Sequence, residues 1–463
     1  MLVIISDLHL TDESTANNVK REVFREILKS RIMNNADDNN AKEVRIVLLG
    51  DILDLVRTDY WLRKKITMEN RPWGGKLDPE TAMNNDFNKI ETQFNEILDD
   101  VLNTKSCRAL MKMLNDIAED TGIYTKVSYV VGNHDRVLWN FNSLQDKIRM
   151  RLKKVTQNNA NPDRVEFLQG LYAPEYGVKA RHGHEWDEIC HGWEFYNEVL
   201  NEDNPIKRFD PKVYKVMAIG EVATAELMAG LIHRIKNNNV CKNDKEFINR
   251  IKDLNNIRPM MDVFRWLDWY MKKNISEKYK NAIYSALKES IKSLLSSSLA
   301  KKWDDMTIDT IITGDLVDRL QLLDKVLAGS DYESIKSAML KLLPVIDILK
   351  GSGDAFSEGA EKEWDWMNEN DLKDIQYIVY GHTHVPKHEY FTGNVNGKVR
   401  MYINTGTYLP LIQRTKNRKG FADAYQMTMA FFYRKDEDRS GRGRNPEEPT
   451  MELWNGIKRK KYV

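Results

Sequence analysis

Short apolar runs alternate with longer amphipathic stretches in the first part of the chain. Residues 2–5, 44–49 and 124–131 are brief, rich in β-branched side chains and bounded by polar turn residues, which predicts buried strands. Between them, residues 20–33 and 87–102 carry apolar side chains three and four positions apart, the spacing of a helix with one buried face. This alternation predicts an α/β layered core. From about residue 190 to 370, Lys-, Glu- and Leu-rich segments with helical periodicity take over, for example 278–299 and 335–349. We read this region as a helical insertion or cap, with a flexible loop around Gly351-Ser352-Gly353 and Gly359 near its end. Strand signals resume at 375–380, 399–403, 427–433 and 450–454. The expected organisation is therefore a core in two parts, 1–189 and 371–463, interrupted by the helical insertion 190–370.

Composition narrows the partners. Hydrophobic residues make up 41% of the 463-residue chain and charged residues 30%, a globular balance. Lys and Arg number 70 against 69 Asp and Glu, so no global field recommends nucleic acid or an anionic membrane. Cys107, Cys190 and Cys241 have no paired spacing, which fits a reducing cytoplasm and suggests neither disulfides nor a thiolate zinc site. The N-terminal residues lack the features of a secretory signal, and no stretch approaches the roughly 20 apolar residues of a membrane span. The most apolar helical candidate, 216–235, is interrupted by Glu221, Glu226 and His233. The Arg439-Ser440-Gly441-Arg442-Gly443-Arg444 run reads as part of a solvated hairpin loop, and Lys458-Arg459-Lys460-Lys461 as a solvated basic tail.

The chemistry lies where the strand signals end. Asp7-Leu8-His9 follows the first apolar run, and side chains two apart on an extended segment point the same way, so a carboxylate and an imidazole can converge on one ion. Gly50-Asp51 follows the second, offering two carboxylate oxygens able to bridge two metals. After the third comes Gly132-Asn133-His134-Asp135, with an amide oxygen that can ligate and a histidine that can face a substrate. Arg181-His182-Gly183-His184 and Gly381-His382-Thr383-His384 each present two histidines at spacing two. Six of the nine histidines thus sit in strand-end motifs, where open α/β sheets place their sites.

Taken together, Asp7-x-His9, Gly50-Asp51, Gly132-Asn133-His134-Asp135, His182 and Gly381-His382-x-His384 resemble the signature of the calcineurin-like metallophosphoesterase family, over about residues 1–185 and 374–434. The resemblance includes the Tyr402-Ile403-Asn404-Thr405-Gly406-Thr407 strand and does not extend to the helical middle. It implies a four-layer αββα sandwich with a large helical insertion. It also implies that Asp7, His9 and His384 hold one divalent ion, that Asn133, His182 and His382 hold another, and that Asp51 bridges the two. The expected cofactors are two transition-metal ions, manganese foremost, with iron or zinc as alternatives. A hydroxide between them would attack phosphorus while His134 protonates the leaving oxygen, with Asp7 or Asp135 orienting its ring.

Around this set, Arg57 and Arg136 are candidates for binding a phosphate oxygen, and His184 for substrate contact or for the ligand role given to His182. Asp54 would support the site or cap a turn, and Trp186, Asp187 and His191 would line its mouth. The expected activity is hydrolysis of a phosphomonoester or phosphodiester in a phosphorylated small molecule or nucleotide, with specificity set by the insertion. Two other readings remain: a metal-dependent nuclease, and a metal-stabilised scaffold without catalysis. The motifs leave oligomeric state open.

Overall fold

The computed structural model describes residues 1–120, 122–157, 164–259, 262–274, 277–306, 355–369, 375–392, 399–437 and 448–460, with isolated positions Val317, Gln321 and Asp324. The expected helix at 335–349, the Gly351-Ser352-Gly353 loop, the Arg439-to-Arg444 run and Lys461 lie outside these residues.

The strands are β1 (Leu2–Ile5), β2 (Glu43–Leu49), β3 (Tyr124–Val130), β4 (Val165–Leu168), β5 (Leu171–Ala173), β6 (Val178–Ala180), β7 (Tyr377–Tyr380), β8 (Lys387–Thr392), β9 (Val399–Asn404), β10 (Pro410–Arg414), β11 (Phe421–Tyr433) and β12 (Thr450–Lys460). They form two mixed sheets. One has the order β10-β11-β1-β2-β3-β4, with β12 also paired to β11; the other has the order β5-β6-β7-β9-β8. Strands β1 to β4 run parallel, as do β6, β7 and β9, while β11 closes antiparallel against β1.

The apolar runs are continuous because both faces of the strands are covered. Leu2, Ile4, Val47, Leu49 and Val130 point from the first sheet into a cluster with Val178, Ala180, Val379 and Ile403 of the second. Alternate residues Val3, Ile5, Ile46, Leu48 and Tyr129 point the other way, toward helical residues such as Phe24, Leu28, Phe94, Leu98 and Leu110. On the far face of the second sheet, Ile378, Tyr380 and Tyr402 pack against Ala360, Trp364 and Met367 of helix Ala355–Glu369. The architecture is mixed α/β, with two sheets face to face and helices outside.

Several elements run differently from the local pattern. Helix Phe87–Leu102 begins where expected, with the Asp86 carboxylate accepting the Lys89 N–H. The 278–299 periodicity is divided into helices Glu277–Leu295 and Ser298–Trp303, because Ser297 caps the second by accepting the Ala300 N–H. Gly359 is helical rather than part of a loop: the Trp186 ring occupies the space a Cβ would need. Lys458, Arg459 and Lys460 are the end of β12, paired with Tyr425, Ala424 and Asp423, and not a free tail.

The helices between β6 and β7 are welded to the rest. Their buried residues, among them Val216, Leu231, Ile283 and Leu299, belong to the same apolar cluster as the helical face of the first sheet. Backbone bonds tie Met217 to Thr81, Leu299 to Trp73 and Arg258 to Ile412. The helical run Val213–Asn237 is long and apolar enough to cross a membrane, but 94% of its most apolar window is buried inside the protein.

Candidate metal centre

The motif loops converge because backbone bonds lace them together. Asp7 N–H donates to Gly50 C=O (3.1 Å) and His9 N–H to Asp51 C=O (2.8 Å). His134 N–H donates to Asp51 Oδ1 at 2.8 Å, and His382 N–H to both Asp7 carboxylate oxygens at 3.1 Å. Loops from both sheets therefore meet at one place. Asp7, His9, Asp51, His382 and His384 all have φ between 42° and 67°, a left-handed conformation disfavoured for side chains with a Cβ. Such strain persists only where surrounding contacts over-determine it, and it concentrates at functional sites. Gly132 and Gly381 have no room for a Cβ: it would collide with the carboxylate of Asp51 at the first and of Asp7 at the second.

Four groups of possible donor atoms result among the described residues, and two of them are made of expected ligands: Asp7, His9 and His384 form one, and Asp51, His182 and His382 the other; within each, the ligand atoms lie within 4.8 Å of one another. His9 Nε2 is 2.9 Å from His384 Nε2, and Asp7 Oδ1 is 3.5 Å from His384 Nε2. Asp51 Oδ2 stands between the groups, 3.6 Å from His9 Nε2 and 3.2 Å from His182 Nε2. Asn133 Oδ1 joins the second group, 3.1 Å from His382 Nδ1.

Hydrogen bonds on the outer sides of three rings decide what the inner nitrogens present. His182 Nδ1–H donates to Leu49 C=O at 2.9 Å, His9 Nδ1–H to Asp54 Oδ2 at 3.0 Å, and His382 Nε2–H to Asp187 Oδ2 at 3.0 Å. In neutral imidazoles this leaves His182 Nε2, His9 Nε2 and His382 Nδ1 as lone pairs facing carboxylate or amide oxygens. Lone pairs facing lone pairs in a buried place repel unless a cation lies between, and His182 Nε2 has no hydrogen-bond partner. The residues therefore fit a metal centre: the buried His and Asp groups could hold metal ions, with the rings of His9, His182 and His382 held from behind by acceptors as metal-bound histidines are, while His384 is backed by the Arg258 guanidinium instead.

Electrostatics differ between the two groups: burial lowers His9 to about 4, and burial and then Arg258 hold His384 well below its ordinary value, whereas the second group favours a cation. Burial pushes Asp7 up to about 6. Burial opposes a charge on His182, yet the negative field led by Asp51 raises it to about 10. A proton and a divalent ion compete for such a nitrogen, so a field that favours one favours the other. No family model matches the chain, and no curated protein matches it.

The remaining candidates separate by what they touch. His134 Nδ1 lies 3.0 Å from Asp54 Oδ2, off the axis of a good hydrogen bond. Burial lowers its pKa, but Asp54 and Asp51 outweigh this and raise it. The neighbour of His134 is thus Asp54, neither Asp7 nor Asp135. One Asp54 oxygen faces both His9 and His134, while the other accepts the Arg57 N–H at 2.8 Å. Asp135 is turned inward, accepting from Tyr129 Oη (2.6 Å), Gly132 N–H (2.6 Å) and Ile52 N–H (2.9 Å). It shapes the loop, contrary to the catalytic role expected for it. Arg136 is consumed by Glu221, with contacts of 2.8 and 3.0 Å, and donates to the Lys215 carbonyl at 2.7 Å, which removes it from substrate binding. His184 is buried against His191 and Tyr214 and belongs to neither donor group; burial and the neighbouring His191 keep it neutral.

Arg57 remains, buried beside the site. Two residues were invisible as partners in the sequence: Asp187, behind His382, and Arg258 of the insertion, whose Nη2 lies 2.8 Å from His384 Nδ1.

Proposed function

We propose that this chain is a calcineurin-like metallophosphoesterase, a dinuclear-metal enzyme hydrolysing phosphate esters. The observation that carries this reading is the pair of buried donor groups sharing Asp51, with inward nitrogens facing inward oxygens. Sheet order and face-to-face packing are compatible with the αββα sandwich of that family.

Asp7, His9, Asp51 and His384 would hold one ion and Asp51, Asn133, His182 and His382 the other. Manganese, iron and zinc all suit this mixed set of imidazole and oxygen donors. When bound, two divalent ions lower the pKa of a water and neutralise phosphoryl oxygens. The protein's own part is positional. Asp54 holds the His9 ring by its outer nitrogen, as Leu49 C=O holds His182 and Asp187 holds His382. His134, with Nδ1 against Asp54, keeps Nε2 to carry a proton to the leaving oxygen. Its pKa, raised above the ordinary value, suits a group that must be protonated near neutral pH.

The test loads purified protein with manganese, measures bound metal, and follows hydrolysis of a chromogenic monoester and diester. We expect two ions per chain and chelator-sensitive turnover. Asp51→Asn should lose metal and activity together; His134→Ala should keep its metal and lose about 10²–10⁴-fold in kcat. Two bound ions without turnover on either ester would favour the scaffold reading instead.

A further inference from the structure

A third donor group stands outside the two that share Asp51. Asp187 Oδ2 lies 3.0 Å from His382 Nε2, and with Cys190 Sγ these three atoms lie within 4.8 Å of one another. Asp187, Cys190 and His382 are all partly buried, whereas Asp7, His9, Asp51, His182 and His384 are buried, so this group can be reached from solvent at the mouth of the metal centre.

The backbone sets the group in place. Ile189 N–H donates to Asp187 Oδ1 at 3.0 Å, while Cys190 N–H (3.0 Å) and His191 N–H (2.9 Å) both donate to Asp187 C=O. These bonds turn the chain and bring the thiol back beside the carboxylate. Helix Ile219–Val222 supports the turn from behind: Gly220 N–H donates to Ile189 C=O at 2.9 Å, and a Cβ on Gly220 would stand 3.1 Å from Cys190 Sγ. His382 arrives from 195 residues beyond Asp187, which is why cysteine spacing alone suggests no thiolate site.

The separations suit one small cation. In a tetrahedral zinc site, bonds of about 2.0–2.1 Å set nitrogen and oxygen ligands about 3.3 Å apart, and a thiolate at about 2.3 Å stands about 3.6 Å from them. Asp187 and His382 are already near that spacing, and a thiol shift of about 1 Å completes the set, leaving a fourth position for water. A thiolate prefers zinc or cadmium to manganese.

We infer that Asp187, Cys190 and His382 form a separate site for one soft divalent cation, which takes His382 away from the second ion of the metal centre. This rests on the proposed ligand role of His382, whose Nδ1 faces Asn133 Oδ1 at 3.1 Å while Nε2 faces Asp187. On binding, the Cys190 S–H bond breaks and its proton passes to solvent. The proton on His382 Nε2 moves to Nδ1, so the ring offers its lone pair outward and none inward. Nothing is oxidised or reduced. A soft ion at the mouth and a manganese ion in the second group therefore exclude each other, and excess zinc switches the centre off.

The experiment adds cadmium or zinc to the manganese-loaded chain and to its Cys190→Ala and Cys190→Ser variants. It follows the ultraviolet sulfur-to-cadmium charge-transfer band, manganese released into solution by electron paramagnetic resonance, and thermal melting. We expect a band and manganese release in the parent, and cadmium binding at least about tenfold weaker, without the band, in both variants. Direct exchange of cadmium or zinc into the metal centre would release manganese equally from all three proteins. Release within twofold of the parent in Cys190→Ala, or a band that persists there, would thus overturn the site. A Cys190-dependent band with no manganese release would overturn the competition for His382. The band needs no turnover: a parent that shows the Cys190-dependent band and manganese release but hydrolyses no ester would keep this site and remove the phosphoesterase reading. If Cys190→Ala melts early, Cys190→Ser decides by the same criteria.

Discussion

A single carboxylate has two imidazole rings to hold in place. Asp54 Oδ2 is 3.0 Å from Nδ1 of His9 and 3.0 Å from Nδ1 of His134, coupling a candidate metal ligand to the candidate general acid. Burial would raise the Asp54 pKa, but His134 and Arg57 hold it well below the usual carboxylate range, so it stays ionised. Asp54→Asn keeps the shape and removes the charge. We expect manganese affinity to fall about 10–100-fold, the usual loss when the acceptor behind a metal-bound histidine is removed. Competition against a chelating dye would read this; an affinity equal to the parent's would separate Asp54 from the metal centre. The residue scale also corrects the sequence reading. Asp54 looks locally like a turn residue, and it is one, since it accepts the Arg57 N–H; the two histidines it serves come from elsewhere.

Elements are joined by paired charges as much as by apolar packing. Arg136, just past β3 and the Asn-His-Asp motif, grips Glu221 of the helical run Val213–Asn237 through two contacts, both partners nearly fully buried. Glu221 also accepts the Ala218 N–H at 3.0 Å, securing the start of helix Ile219–Val222. Removing one partner of a buried pair leaves the other charged and unsatisfied, which costs about 3–5 kcal/mol. Arg136→Ala should therefore lower stability by that order in urea unfolding while leaving metal content and KM within twofold of the parent. A large rise in KM at unchanged stability would restore Arg136 to the substrate site. Periodicity foresaw that the Arg136 region follows a strand and that 216–235 is helical. It carried no sign that the two would be paired across 85 residues.

Across the whole molecule, the second sheet and its outer helix are tied by one buried carboxylate. Glu363 of helix Ala355–Glu369 contacts Lys179 Nζ (2.5 Å) and Arg181 Nε (3.1 Å) and accepts from Tyr380 Oη (2.6 Å). Burial would raise its pKa, yet Arg181 and then Lys179 prevail and lower it. A carboxylate whose folded pKa is depressed contributes stability that is fully present above its unfolded value of about 4.3 and is lost as pH falls through the folded value. Acid should therefore loosen this layer. Thermal melting of the parent should fall between pH 6 and pH 3 by more than that of Glu363→Gln, which starts less stable and has less to lose. Equal falls in both would show that Glu363 carries none of the acid sensitivity.

Local sequence determined the strands β1, β2 and β3 and the order of the motifs behind them, because a buried parallel strand writes itself as a short apolar run and its exit as Gly, Asp, Asn or His. Short or edge strands such as β5, β8 and β10 left weaker marks, since three to six residues with one face open look like ordinary loop sequence. Only the tertiary structure decided between His182 and His184: two residues apart, they are equivalent in an extended segment. Gly183, at φ 103°, breaks that equivalence, sending His182 to Asp51 and His184 against His191. Likewise only folding assigned Asp187 to His382 and Arg258 to His384, partners 195 and 126 residues apart. A strand end can announce a ligand by its own residue types; what holds that ligand in place, and what charge faces it, depends on chain brought there by packing.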